Sequence, residues 1–250
     1  MLFKSILGNQ PIKSYLIKAI NEERLPHALL FAGSSGIGKS LFAGELATHF
    51  LNCAKERIEK QTHPDFHVLY PEGKSGTHSI ESLRGVIEKV HQASFEGKGQ
   101  VFVIHDAERM QPAAANAILK TLEEPTPSTL FILITTHLES ILPTIQSRCS
   151  VLRFQLLGLS EVEELLRQKG LSENSAQSAQ GSIGRALQQE EFKSLQTLLF
   201  PLLDQELSYA EQAVLIEKLS EAIEDEDAIH KHRKIELVFE MILMRYRDAV

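Results

Sequence analysis

From residue 11 onward, Ile12, Leu16, Ala19 and Ile20 fall on one face of a helical repeat opened by Pro11, so the chain is expected to begin with an amphipathic helix. Ala28–Ala32 is an unbroken apolar run and predicts a strand. A helix over about 39–52 follows. Phe66–Tyr70 predicts a short strand closed by Pro71 and Gly73. Ser79 then caps a helix whose stripe is Ile80, Leu83, Ile87 and Val90. Val101–Ile104 is apolar at every position, the pattern of a strand buried on both faces. Pro112 opens another helix with Ala113, Ile118 and Leu122 available for burial, ending before Pro125. Leu130–Ile134 is a third continuous apolar run; a short helical turn and a strand over Val151–Phe154 come after it. Strands alternating with helices imply an α/β fold with a parallel sheet covered on both sides.

The pattern changes near Gly158. No strand candidate follows, and Ser160–Leu166 begins with a capping signal for a helix that Gly170 ends. The expected division is an α/β domain over 1–157, a small helical domain over 158–192 and an all-helical region over 193–250. In the last of these, Leu215, Leu219 and Ile223, then Ile235, Val238 and Ile242, are spaced as buried faces, with Asp225–Asp227 as a solvated turn between them.

Composition narrows the function classes. The 250 residues carry a formal charge of −7, which argues against wholesale coating of nucleic acid and leaves room for a local basic patch. No apolar run approaches the roughly 20 residues that span a bilayer, so no membrane partner is expected. Lys4, Asn9, Gln10 and Lys13 interrupt any secretory h-region. Cys53 and Cys149 are far apart and belong to no CxxC, so neither a disulfide framework nor a zinc site is expected, and a cytoplasmic location is.

The strongest chemical signal lies between the first strand and the second helix. Gly33, Gly38, Lys39 and Ser40 fit G-x-x-x-x-G-K-[ST] without a mismatch. In such a loop backbone N–H groups curl around phosphates, the lysine reaches the β/γ oxygens and the serine holds Mg²⁺. The site residues expected from the motif are Gly33, Ser34, Ser35, Gly36, Ile37, Gly38, Lys39, Ser40 and Leu41, holding ATP or ADP with Mg²⁺. Asp106, at the tip of the buried strand 101–104, is the expected second holder of the cation. Many nucleotide hydrolases of this architecture place a glutamate directly after that aspartate; here the residue is Ala107, whose methyl group cannot take a proton from water. Glu108 is one position further on. It reads either as a displaced base or as a solvated carboxylate at a helix start, the commoner fate.

Beyond these motifs the chain resembles clamp-loader subunits of the AAA+ ATPase class, the family found in bacterial DNA polymerase III. The resemblance is carried by Leu7–Gln10, Arg24–Ala28, His63-Pro64-Asp65, the run Ala113–Pro125 with its Leu-Lys-Thr-Leu-Glu-Glu-Pro, Ser147-Arg148-Cys149 and Gly181–Ala186. It covers about 1–190, and the last sixty residues share it only weakly. It implies an AAA+ domain with the helical unit 158–192 as its lid and 193–250 as the start of a collar. It also implies that Arg148 is an arginine finger acting in trans on a neighbour's ATP, a task suited to a planar and permanently charged guanidinium. Thr135 and Thr136 match the position that senses the γ-phosphate, and Arg185 matches a sensor arginine that closes the lid.

Implied partners are other clamp-loader subunits of gamma/tau and delta types, the sliding clamp and primed DNA, with Lys13, Lys18 and Lys120 as candidate phosphate contacts. Three departures from the family bear on function. Ala107 fits the subunit type that often lacks a working hydrolytic site, so the chain's own ATPase is expected to be weak or absent, and the loop is expected either to bind ATP or ADP or to be the relic of a nucleotide site. The alternatives are a gamma/tau-type motor that hydrolyses ATP itself and, from another class, a small-molecule kinase, for which residues 158–250 offer no arginine-rich lid. Only Cys53 remains where such subunits carry a four-cysteine zinc knuckle, so no zinc is expected. Met241–Asp248 resembles the first collar helix, and the collar is therefore expected to be truncated or reduced.

Overall fold

The computed structural model describes residues 2–73, 76–124, 126–171, 175–203 and 207–224, together with 234, 235, 238, 239, 241 and 242. The α/β part contains α1 (Gln10–Asn21), β1 (Ala28–Ala32), α2 (Lys39–Leu51), α3 (Lys55–Glu59), β2 (Phe66–Leu69), α4 (Ile80–Val90), β3 (Gln100–Ile104), α5 (Pro112–Glu123), β4 (Thr129–Thr135), α6 (Pro143–Gln146) and β5 (Ser150–Arg153). The helical part contains α7 (Leu159–Gln168), α8 (Ser175–Ser178), α9 (Ile183–Leu203) and α10 (Tyr209–Ile223). The five strands form one sheet in the order β2-β3-β4-β1-β5, with every pairing parallel.

The strand period of two sorts the apolar runs onto the two faces. Leu29, Phe31, Val101, Val103, Leu130 and Ile132 join the core under α1 and α2. Ala28, Leu30, Phe102, Ile104, Phe131 and Leu133 join the core under α4 and α5. β1, β3 and β4 are buried at every residue, which accounts for their continuous hydrophobicity. Phe102 and Phe131 stack across neighbouring strands with centroids 5.2 Å apart.

Several helix faces differ from the expectation. In α4 the buried positions are Leu83, Val86 and Val90, and Ile87 lies at the margin. In α5 Ala114 and Ala115 are buried and Ala113 faces outward. Helix α7 starts at Leu159, before the predicted Ser160, because the Glu161 carboxylate turns back to accept from the Gly158 amide at 2.8 Å. Lys13 is turned inward, donating to the Ile6 carbonyl, and is not an exposed phosphate contact. Lys18 and Lys120 are exposed.

Leu157, Val162, Leu166, Ala176, Ala179, Ile183 and Ala186 form a separate small core. Leu195, Leu199 and Met241 form another, with Leu219, Ile223, Val238 and Ile242 packed around it. Helix α9 runs unbroken through residues 192 and 193, so these two units share one helix. The Asp225–Asp227 turn and residues 243–250 of the collar-like stretch lie outside the described residues. Among the described residues no helix is long and apolar enough to cross a membrane.

One buried carboxylate organises the approach to β3. Asp65 accepts from the amides of Phe95 (2.6 Å) and Glu96 (2.8 Å), and its own amide donates to His63 Nδ1 at 3.1 Å. Glu96 in turn pairs with Arg57 at 2.5 Å. Asp65→Ala leaves both loop amides without their charged acceptor, and urea unfolding is expected to show a loss of about 3 kcal/mol.

Candidate functional site

The loop after β1 is built by close backbone approaches that exclude side chains. Gly33 (φ +151°) donates its amide to the Thr135 carbonyl at 3.2 Å, and a Cβ there would lie 2.7 Å from the Phe154 carbonyl oxygen. Gly38 (φ +95°) turns the chain into α2. Among the described residues the amides of Gly36, Gly38, Lys39 and Ser40 donate to no other backbone carbonyl, the usual condition of a helix start that can receive an anion. The Lys39 ammonium is folded back onto its own loop, donating to the Gly33 carbonyl at 2.6 Å and the Ser34 carbonyl at 2.7 Å. Burial lowers its pKa to about 8, against the attraction of Glu108 first and Asp106 second.

The acidic residues come from the tip of β3. Asp106 adopts a left-handed conformation (φ +45°), and a single 3₁₀ turn over Ala107–Arg109 follows. This reverses the expected placing of the next two side chains. Ala107 is buried in the core beneath α5, whereas Glu108 is turned across to β4. Its Oε1 accepts from the Thr136 amide at 3.1 Å and from the Thr136 hydroxyl at 2.5 Å. Its Oε2 is sealed from solvent without a partner. Glu108 is therefore not the solvated helix-start carboxylate the sequence suggests. Burial opposes its charge, but hydrogen bonds, those from Thr136 foremost, outweigh that and hold the carboxyl below its usual range. Beside it, His105 stacks on Tyr70 with centroids 4.5 Å apart and is neutral, burial lowering its pKa to about 4. The buried His78 donates from Nε2 to the His105 carbonyl at 2.6 Å.

The start of α9 closes over the loop. The Gly184 amide donates to the Gly36 carbonyl at 2.8 Å, and the Ser182 hydroxyl donates to the Ser35 carbonyl at 2.9 Å. A Cβ on Gly184 would lie 2.6 Å from the Gly36 Cα, so glycine is required on both sides of this contact. Arg185, one residue on and hence about 100° around the helix, is exposed and donates to Gln180 at 3.3 Å. The residue facing the loop is Gly184. The Ser182 and Gly184 contacts are not predicted from the sequence, although both lie inside the Gly181–Ala186 motif.

Arg148 belongs to a different neighbourhood. It follows α6, donates to the Thr144 carbonyl at 2.7 Å and pairs with Glu123 at the end of α5. Its side chain remains about 29% exposed. Thus Gly33–Ser40, Asp106, Thr136 and the start of α9 come together at the carboxyl edge of the sheet, and Arg148 makes its contacts on α5 and α6.

Comparison with known proteins agrees with this architecture. The family model described as DNA polymerase III, delta subunit, matches residues 8–158. DNA polymerase III subunit delta' of Bacillus subtilis is 34% identical over 178 residues, covering 66% of this chain and 53% of its own. The delta' subunit of Escherichia coli is 34% identical over 146 residues, covering 54% and 44%. DNA polymerase III subunit gamma/tau of Mycoplasma pneumoniae is 29% identical over 184 residues, covering 69% and 26%. The chain spans about half the length of the delta' relatives it matches. Among solved structures, a DNA polymerase III gamma subunit-related protein from Thermotoga maritima superposes with TM-score 0.52 at 19% identity, over 92% of this chain and 84% of that one. RuvB from Thermotoga maritima superposes with TM-score 0.54 at 15% identity, over 87% and 72%. These two likenesses concern the fold, which is AAA+. With a family match over more than half of its length, the chain belongs to the delta-prime family of DNA polymerase III subunits.

Proposed function

We propose that this chain is a clamp-loader subunit that holds Mg·ATP or Mg·ADP at Gly33–Ser40, has little or no hydrolytic activity of its own and lends Arg148 to the nucleotide site of a neighbouring subunit. The observation that carries the reading is a separation of tools. The loop has a phosphate cradle but no acid directly after Asp106, because Ala107 is packed into the core. The part-buried guanidinium at residue 148 makes its contacts outside that cradle, with Thr144 and Glu123.

The residues present fit a nucleotide. The amides of Gly36, Gly38, Lys39 and Ser40 are available to phosphate oxygens, and the close fit at Gly33 and Gly36 leaves no space for side chains that would fill the cradle. Lys39 would exchange its two loop carbonyls for phosphate oxygens, with Ser40 and Asp106 holding the cation. Bound Mg²⁺ would supply charge neutralisation of the phosphates. Among the described residues no group of three or more His, Cys, Asp or Glu side chains forms a metal site of its own, so the cation would arrive with the nucleotide. Closure of the lid would rest on the Gly184 and Ser182 contacts, with Arg185 leaving Gln180 to reach the nucleotide as its motif implies. In an assembly with gamma/tau- and delta-type subunits, the sliding clamp and primed DNA, Arg148 would leave Glu123 for a neighbour's phosphate. That exchange costs little, since a half-exposed ion pair is worth at most about 1 kcal/mol. The gamma/tau motor reading shares the fold but requires a base where Ala107 is buried.

Two tests follow. In the reconstituted clamp loader, Arg148→Ala is expected to cut DNA-stimulated ATPase severalfold while the variant's own unfolding stability shifts by less than about 1 kcal/mol; unchanged turnover would remove Arg148 from the mechanism. The second uses the lowered pKa of Lys39, about 8 when free of ligand. Near pH 8 about half of the molecules carry a neutral Lys39, and a bound phosphate favours the ammonium, so binding must take up a proton. Calorimetry of Mg·ADP binding in buffers of different ionisation enthalpy should show an uptake of about half a proton at pH 8. The uptake should shrink toward pH 7, and affinity should fall as pH rises above 8. Lys39→Ala should abolish the uptake.

A further inference from the structure

The Glu108 carboxylate occupies a place with the character of an anion site. Thr135 pairs in register with Ala32, and the Gly33 amide donates to the Thr135 carbonyl, so the next residue, Thr136, stands beside the first residue of the loop. Both donors of Thr136, amide and hydroxyl, point to one oxygen of Glu108. His137 Nδ1 lies 2.8 Å from the same hydroxyl and 3.8 Å from the same carboxylate oxygen. Of the acids acting on the Lys39 ammonium, Glu108 is the stronger, ahead of Asp106. A negative group that draws on the loop lysine and takes two hydrogen bonds from the end of β4 would compete with the last phosphate of a bound triphosphate, because in such loops the lysine reaches the β/γ oxygens and Thr136 matches, by the resemblance, the position that senses the γ-phosphate.

We propose that Glu108 is a built-in competitor for the γ-phosphate, so that this site selects a nucleoside diphosphate over a triphosphate. The inference rests on the reading of Gly33–Ser40 as a nucleotide site and adds to it which nucleotide is kept. A carboxylate and a terminal phosphate cannot both accept from the Thr136 hydroxyl, and two like charges sharing one lysine at a part-buried site repel. A diphosphate ends short of that position and leaves the Glu108–Thr136 pair intact. Asp106 and Ser40 remain for the cation in either case. The selectivity follows from the backbone: the left-handed Asp106 and the 3₁₀ turn send residue 107 into the core and residue 108 to Thr136. Oε2 of Glu108 makes no close hydrogen bond of its own, and the carboxylate is held by that turn and by the hydroxyls of Thr135 and Thr136 and the Thr136 amide at the end of β4.

The test is calorimetric titration of the full chain with Mg·ADP and with a non-hydrolysable Mg·ATP analogue, for the wild type, Glu108→Gln and Glu108→Ala. The wild type should bind ADP about tenfold or more tightly than the analogue. Glu108→Gln, of the same size but neutral, should leave ADP binding within about twofold and narrow the gap severalfold. Glu108→Ala also frees both Thr136 donors and should bring the analogue level with ADP or below it in Kd. Equal binding of the two nucleotides by the wild type, or a gap that survives in both variants, would overturn the proposal while leaving the nucleotide site standing. Loss of analogue binding in the variants would likewise overturn it, since Glu108 would then be assisting the γ-phosphate. Absence of binding by either nucleotide to all three proteins would instead remove the nucleotide site itself, and this inference with it.

Discussion

The structure of the site depends on backbone touching backbone around one loop. Gly33 is held beneath β4 and against the Phe154 carbonyl, and Gly36 meets Gly184 at the head of α9 with no space for a single methyl group between them. These contacts need no long side chain and tolerate little displacement, because interiors packed this closely have no slack. They tie the loop to the sheet on one side and to the helical unit on the other, so a change in loop conformation must move α9 or break two hydrogen bonds. On the proposed reading a phosphate bound at the loop would act on the same segment that is joined to the start of α9.

Around that frame the charges are few and their positions are specific. Lys39 lies buried on carbonyls of its own loop, with its proton weakened by desolvation and kept by Glu108 and Asp106. Burial works against the Glu108 charge, and hydrogen bonds, those from Thr136 foremost with Thr135 and the backbone beside them, hold its carboxyl below the usual range. His105, next to Asp106, is neutral, burial lowering its pKa to about 4. On the proposed reading the pocket would hold negative charge at set positions, one of them filled by Glu108. Arg148 stands apart on α5 and α6 in a solvent-edged pair with Glu123, which a stronger anion can break at small cost.

Much of this was legible in the chain. The continuous apolar runs at 28–32, 101–104 and 130–134 are strands because burial on both faces leaves no alternation to read, and the glycines at 33 and 38 announce a loop where side chains cannot fit. What the sequence conceals is direction. Glu108 is turned to Thr136 and not into solvent, and Ala107 into the core, after a left-handed Asp106; aspartate tolerates that conformation more than most residues, but its presence alone does not announce it. Arg185 matches a sensor arginine by its motif, while the backbone contact with the loop is made one residue earlier, at Gly184, which no side-chain pattern announces. Lys13 is polar by type and buried by tertiary packing, its ammonium satisfied by the Ile6 carbonyl. Helix α9 runs from Ile183 to Leu203 without a break at 192, so the two helical units meet inside one helix.

The central claim, that the Gly33–Ser40 loop is a working nucleotide cradle latched to α9, is most directly tested by following backbone amide resonances of the isotope-labelled chain during titration with Mg·ADP. The account predicts that the largest shifts fall on Gly36, Gly38, Lys39 and Ser40, and that Gly184 moves with them at the same ligand concentration. Loop resonances that stay in place at saturating nucleotide, or a Gly184 signal that is indifferent to a loop that does respond, would contradict it.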